Sequence, residues 1–146
     1  MKRITLLIAF MALTLVSSCK NDDDAVTGNS PVQNSWHLIN VTGGIAGTSY
    51  NFEPGTITWK FGNSNDTVII DNKNTDDSKE DFFSSGAYHY SFVTNTVTPQ
   101  NCSETLKVDN MDFGCYSFGP TGYLTLTQTE ADGFTLTFVT TGVMPL

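Results

Sequence analysis

Between residues 56 and 61 the chain reads Thr-Ile-Thr-Trp-Lys-Phe, with Ile57, Trp59 and Phe61 at alternate positions and Thr58 and Lys60 between them. Successive side chains of a strand point to opposite faces, so this period of two describes a strand with one dry face. The same alternation returns in Tyr88, Tyr90 and Phe92, in Leu124 and Leu126, and in Phe134, Leu136 and Phe138. A helix would scatter these residues around its circumference. The mature region is also rich in Thr, Phe, Tyr, Val and Gly, which favours strands over helices.

Turn signals divide the chain into short runs. Strands are expected at Trp36–Val41, Thr56–Phe61, Thr67–Asp71, Gly86–Val93, Thr105–Val108, Met111–Phe118, Tyr123–Gln128 and Phe134–Val139. Between them stand a glycine-rich turn at Gly43, Gly44 and Gly47, then Pro54-Gly55, Gly62–Asp66, Asp109-Asn110, Gly119–Gly122 and Ala131-Asp132-Gly133. Asn72–Asp81 is expected to be a charged loop. About eight strands with short connections can each lie antiparallel to the one before, and closing the last onto the first removes the exposed edges. The favoured architecture is an up-and-down antiparallel barrel. The alternative is a β-sandwich, but immunoglobulin-type cysteine spacing around a central Trp is absent.

The first residues read as an address. Lys2 and Arg3 precede an apolar run from Ile4 to Val16, and Ser17-Ser18-Cys19 follows. This is the layout of a secretory signal, and the run is too short for a comfortable membrane span. Val16-Ser17-Ser18-Cys19 resembles a lipobox, which implies that residues 1–18 are a signal peptide and that Cys19 is acylated. Acyl chains contribute roughly 0.8 kcal/mol per buried methylene, enough together to hold the protein on a membrane. Residues 19–33 form an acidic, polar linker with a span of roughly 20 Å, and 34–146 form the folded domain. Lys20-Asn21-Asp22-Asp23-Asp24 resembles the acidic export signal of some Gram-negative lipoproteins, which implies the outer membrane and its cell surface; the other placement is periplasm-facing.

Removing residues 1–18 takes two of the seven cations and none of the 15 acids, so the mature formal charge is −10, with no arginine left. Nucleic acid needs a cationic footprint, and this chain has none. Cys102 and Cys115 are an even pair in an exported protein, where disulfides persist. A bridge closing that short loop would stabilise by about 3 kcal/mol. The alternatives are a metal pair or a nucleophile, but no His lies near either cysteine in sequence.

Trp36 opening the first strand, the Ile57–Phe61 strand, Gly86-Ala87-Tyr88-His89-Tyr90 and the two closing hairpin strands resemble the bacterial lipocalin-like domain of small Gram-negative lipoproteins. The resemblance covers about Asn34 to Val139 and implies a calycin-type barrel. The chain has Asn34-Ser35-Trp36 where true lipocalins carry Gly-x-Trp. Such a barrel is just wide enough to be filled by side chains or to hold one small molecule. The expected inward residues are Trp36, Leu38, Ile57, Trp59, Phe61, Tyr88, Tyr90, Phe92, Leu106, Val108, Leu124, Leu126, Phe134, Leu136 and Phe138. They are bulky enough to fill the lumen. The functional alternative sets Trp36, Trp59, Tyr88, Tyr90 and Phe92 about a site for a small apolar or amphipathic ligand.

Other chemistry has little support. His37 and His89 fall on outward positions. Asp71, Asp76, Asp77, Glu80 and Asp81 share a loop, but a calcium loop started at Asp71 fails at Lys73, Asp76 and Phe82. Asp66-Thr67-Val68 resembles a short O-glycosylation acceptor. No nucleophile elbow, zinc helix or phosphate loop is present. The expectation is a non-enzymatic binding module without cofactor or metal. Its rival is an interaction or inhibitor module with a solid core, working through loops such as Asn72–Asp81 and Val97–Ser103.

Overall fold

The computed structural model describes residues 35–62, 65–94, 102–119 and 122–140. Cys19, the leader, the linker and residues 97–101 of one expected interaction loop lie outside them. The described strands are β1 (Ser35–Gly43), β2 (Thr48–Asn51), β3 (Ile57–Phe61), β4 (Thr67–Asn72), β5 (Gly86–Thr94), β6 (Glu104–Val108), β7 (Met111–Phe118), β8 (Tyr123–Thr127) and β9 (Phe134–Thr140). No helix occurs among the described residues.

Every neighbour pair is antiparallel. The order runs β2-β1-β3-β4-β5-β6-β7-β8-β9, and β1 pairs with β9 to close the ring. Eight strands make the barrel, as the alternation predicts, and the sandwich is excluded. The ninth strand, β2, is a departure from the sequence reading. β1 runs on past Val41 to Gly43, and β2 pairs with Asn40–Gly43 while β3 pairs with Ser35–His37. One edge of β1 is therefore shared end to end by two strands, with Phe52 N donating to Ile39 O between them at 2.9 Å. Thr48 and Tyr50 face the half-buried side of β2 and Ser49 and Asn51 face out, but Tyr50 is the one large apolar residue among the four, too little for a period to be read.

Two glycines allow the wall to close tightly. Gly114, at φ +68°, sits at a register shift between β6 and β7, where its N–H donates to Asp112 Oδ1 at 2.8 Å. A Cβ there would run into the backbone carbonyl of Thr127. Gly43, at φ +129°, lets β1 pass equally close to the carbonyl of Gly133. Cys102 and Cys115 are disulfide-bonded, with Cα atoms 5.7 Å apart and a sequence separation of 13. The bridge ties the loop before β6 to the wall of β7.

The interior is occupied. Trp59 of β3 meets Phe113 of β7 at 5.4 Å between ring centroids and Phe138 of β9 at 5.1 Å. β3 and β7 are four places apart in a ring of eight, so opposite walls touch across the lumen. Val41, Phe52, Val68, Ile70, Phe113 and Val139 join the buried set beyond the residues expected to be inside.

Candidate functional site

The barrel has two different ends. At the entry end, where the chain arrives at Ser35, aromatic rings form a girdle. Phe61 contacts Tyr90 (5.1 Å), Tyr90 contacts Phe92 (5.7 Å), and Phe92 contacts Tyr116 (5.3 Å). Tyr116 then meets Phe118 (5.9 Å), and Phe118 meets Trp36 (5.9 Å). These residues come from β3, β5 and β7, which alternate with β4 and β6, and from β1, which lies beside β3 and is separated from β7 by β8 and β9.

Both girdle tyrosines with inward rings have partners for their hydroxyls. Tyr90 Oη donates to Gly62 O at 2.9 Å, and Tyr116 Oη donates to Glu104 Oε2 at 2.7 Å. Burial first, and then the Glu104 carboxylate, push the Tyr116 hydroxyl up to about 12. Burial raises Tyr90 as well, assisted by the charge of Asp66. A neutral phenol is the form that each site favours.

The opposite end carries an open cleft of about 690 Å³. Its walls are two hairpins. Asp109 and Asn110 connect β6 to β7, and residues 128–133 connect β8 to β9. The first is tight, with Val108 facing Met111 across the turn and Asp109 at φ +50°. The second is braced by Gln128, whose backbone N–H donates to Phe134 O while its side-chain Oε1 accepts from Phe134 N. Phe83, Val108, Met111 and Phe134 supply an apolar floor, and Asp109, Asp112, Glu130 and Asp132 supply carboxylates. No Lys, Arg or His is among the residues lining the cleft. Asp109 Oδ1 accepts from His89 N, and Asp112 Oδ1 accepts from Gly114 N, which fixes both carboxylates. The ion pairs among the described residues, Lys73–Asp71 and Lys79–Asp76, involve none of the four.

The floor of the cleft is finished by the two residues that follow the charged loop Asn72–Asp81. Residues 73–81 are polar, but Phe82 and Phe83 turn back over the barrel. Phe82 lies edge-on to Phe113 and Phe134, each at 5.5 Å. Phe83 packs on Tyr88 at 4.6 Å, on Trp59 at 5.8 Å and on Phe113 at 5.9 Å. The loop is held by its own side chains: Asn72 Nδ2 donates to Phe83 O, Asn74 Nδ2 to Asp81 Oδ2, and Ser78 Oγ to Asp76 Oδ1. Those Ser78 hydrogen bonds, side chain before backbone, lower the Asp76 carboxyl.

The five aromatics expected to share a site are divided by this arrangement. Trp36, Tyr90 and Phe92 belong to the entry-end girdle. Tyr88 lies near the cleft end, with its hydroxyl donating to Ser84 O at 2.8 Å. Trp59 is between the two groups and buried, and its Nε1 has no hydrogen-bond partner. The cleft-lining residues Met111, Asp112, Glu130 and Asp132 were not singled out in the sequence. The one available signal was Phe82-Phe83, an adjacent aromatic pair directly after an acidic loop. Among the described residues, no group of three or more His, Cys, Asp or Glu side chains is placed to hold a metal ion. No family model, no curated protein and no solved structure matches the chain.

Proposed function

We propose that this protein is a non-enzymatic binding module of lipocalin-like type, tethered to the outer membrane through lipid on Cys19. It takes one small amphipathic molecule at the mouth of its barrel. The observation that supports this reading is the cleft of about 690 Å³, with an apolar floor and polar rim, at one end of a closed barrel. That volume is within the range of about 300–1,000 Å³ typical of small-molecule sites. The ligand sits on the floor made by Phe83, Met111 and Phe134 and does not enter the lumen, because Trp59 and Phe113 already meet there.

Titration with a fluorescent lipophilic dye tests the binding. One saturable site is expected, and Met111→Trp, which narrows the cleft, should weaken it. Absence of saturable dye binding by the wild type would remove the reading. The tether is tested separately by palmitate labelling in the native host, which should disappear in Cys19→Ala.

The rival reading is an interaction or inhibitor module. The wall-to-wall contact of Trp59 and Phe113 favours it, since a solid barrel is a rigid frame for loops. It gains if dye binding fails while a host protein forms a stoichiometric complex with the purified domain.

A further inference from the structure

We infer that the cleft selects a cationic amphiphile: one positively charged head on an apolar tail. This rests on the reading of the cleft as a small-molecule site and adds the charge of its ligand. The argument begins with the cavity. Phe83, Met111 and Phe134 offer an apolar surface wide enough for a tail, and the hydrogen-bonded hairpins on either side limit its width. Desolvating that floor is the source of affinity.

The rim then decides what can be attached to the tail. Asp109, Asp112, Glu130 and Asp132 all border the same cavity, with no cation among the lining residues. Charges lying within a Debye length of about 8–10 Å act on a bound ligand together. An anionic head would meet this combined field as repulsion. A neutral head would gain nothing from it and would remove water from the carboxylates. A positive head relieves their mutual repulsion. Lys107 shares a rung of the β6–β7 ladder with Asp112, but it does not line the cavity. Glu130 and Asp132, on the opposite hairpin, have no ion-pair partner among the described residues. A second copy of the chain is a poor occupant, because it carries the same excess of acid.

Isothermal titration of the lipid-free domain distinguishes the possibilities. The probes are dodecyltrimethylammonium, dodecyl maltoside and dodecyl sulfate, each kept below its micelle concentration, with a tetralysine peptide as a tail-free cation. The trimethylammonium probe should bind at least about tenfold more tightly than the sulfate, and its advantage should shrink in high salt. The double variant Glu130→Gln/Asp132→Asn should lose about threefold to tenfold of that preference while its melting temperature is retained. Both positions are exposed, and neither side chain makes a hydrogen bond among the described residues, so the variant keeps its fold.

Equal affinity for the three dodecyl probes would overturn the charge inference and leave the binding site standing. Binding of none of them would remove the site itself, and the inference with it. Tighter binding of tetralysine than of dodecyltrimethylammonium would overturn the amphiphile and point to a basic peptide.

Discussion

The two ends of this barrel use the same residue types in opposite ways. At the entry end, aromatic side chains are spent on one another: Phe61, Tyr90, Phe92, Tyr116, Phe118 and Trp36 form successive ring contacts, and the inward hydroxyls of Tyr90 and Tyr116 are satisfied within the protein. At the cleft end, Phe83 and Phe134 present surface to an open cavity, and the acids above them have no ion-pair partner among the described residues. Satisfied polar groups and packed rings favour stability, whereas unpaired charge above apolar surface is characteristic of a site held for something else. The difference teaches that burial alone does not locate function in a small barrel. What each polar group has been given as a partner is the better guide.

Four substitutions would break or sharpen this contrast. The largest effect is expected from Trp59→Ala, because Trp59 touches Phe61 towards the entry end and Phe83 towards the cleft. Urea unfolding should show a loss of about 3–5 kcal/mol. If ligand titration of any folded remainder were unchanged, the two ends would be independent. Gly114→Ala comes next. It forces an L side chain into left-handed backbone and against the Thr127 carbonyl, at a cost of about 2–3 kcal/mol in the same assay.

Tyr116→Phe tests the entry end alone and should cost about 1 kcal/mol at neutral pH without altering ligand affinity. Its pH dependence has a definite sign. The folded Tyr116 hydroxyl is raised to about 12 from an ordinary value of 10.0. The neutral phenol's contribution is therefore complete below about pH 10 and is lost as pH rises towards 12. The stability gap between wild type and Tyr116→Phe should stay constant up to about pH 10 and then narrow. The smallest effect belongs to Glu130→Gln at the cleft. Relief of like-charge repulsion should raise stability by a few tenths of a kcal/mol in low salt, and the gain should vanish in high salt. A loss of stability there would mean that the rim acids help to hold the fold together.

The barrel was legible because Ile57, Trp59 and Phe61, and their counterparts on later strands, keep a strict period of two, which register shifts interrupt only in β1 and between β6 and β7. That period fixes whether a side chain points inward, but not how far along the barrel axis it lies. Trp36 and Tyr88 are both read correctly as facing in, yet they approach opposite ends, because their height is set by strand register and closure. The cleft was hidden for a related reason. Phe82 and Phe83 stand outside any strand, with Phe82 at φ +64°, where alternation has no meaning. The acids of the rim come from two turns that are 20 or so residues apart, and the β7–β8 pairing sets those turns at the same end of the barrel.

The division of one β1 edge between β2 and β3 has its own outcome. Closure gives each strand of the eight-membered ring two neighbours, but β2, among the described strands, has only one. An unjoined side can template the addition of a foreign strand. Here it spans four residues, and Lys79 Nζ donates to the Asn51 carbonyl at its end. Lysine over a short border is a common guard against sheet-to-sheet growth. Copies brought together at high local density would thus meet with that seam already blunted, and neighbouring molecules would stay separate.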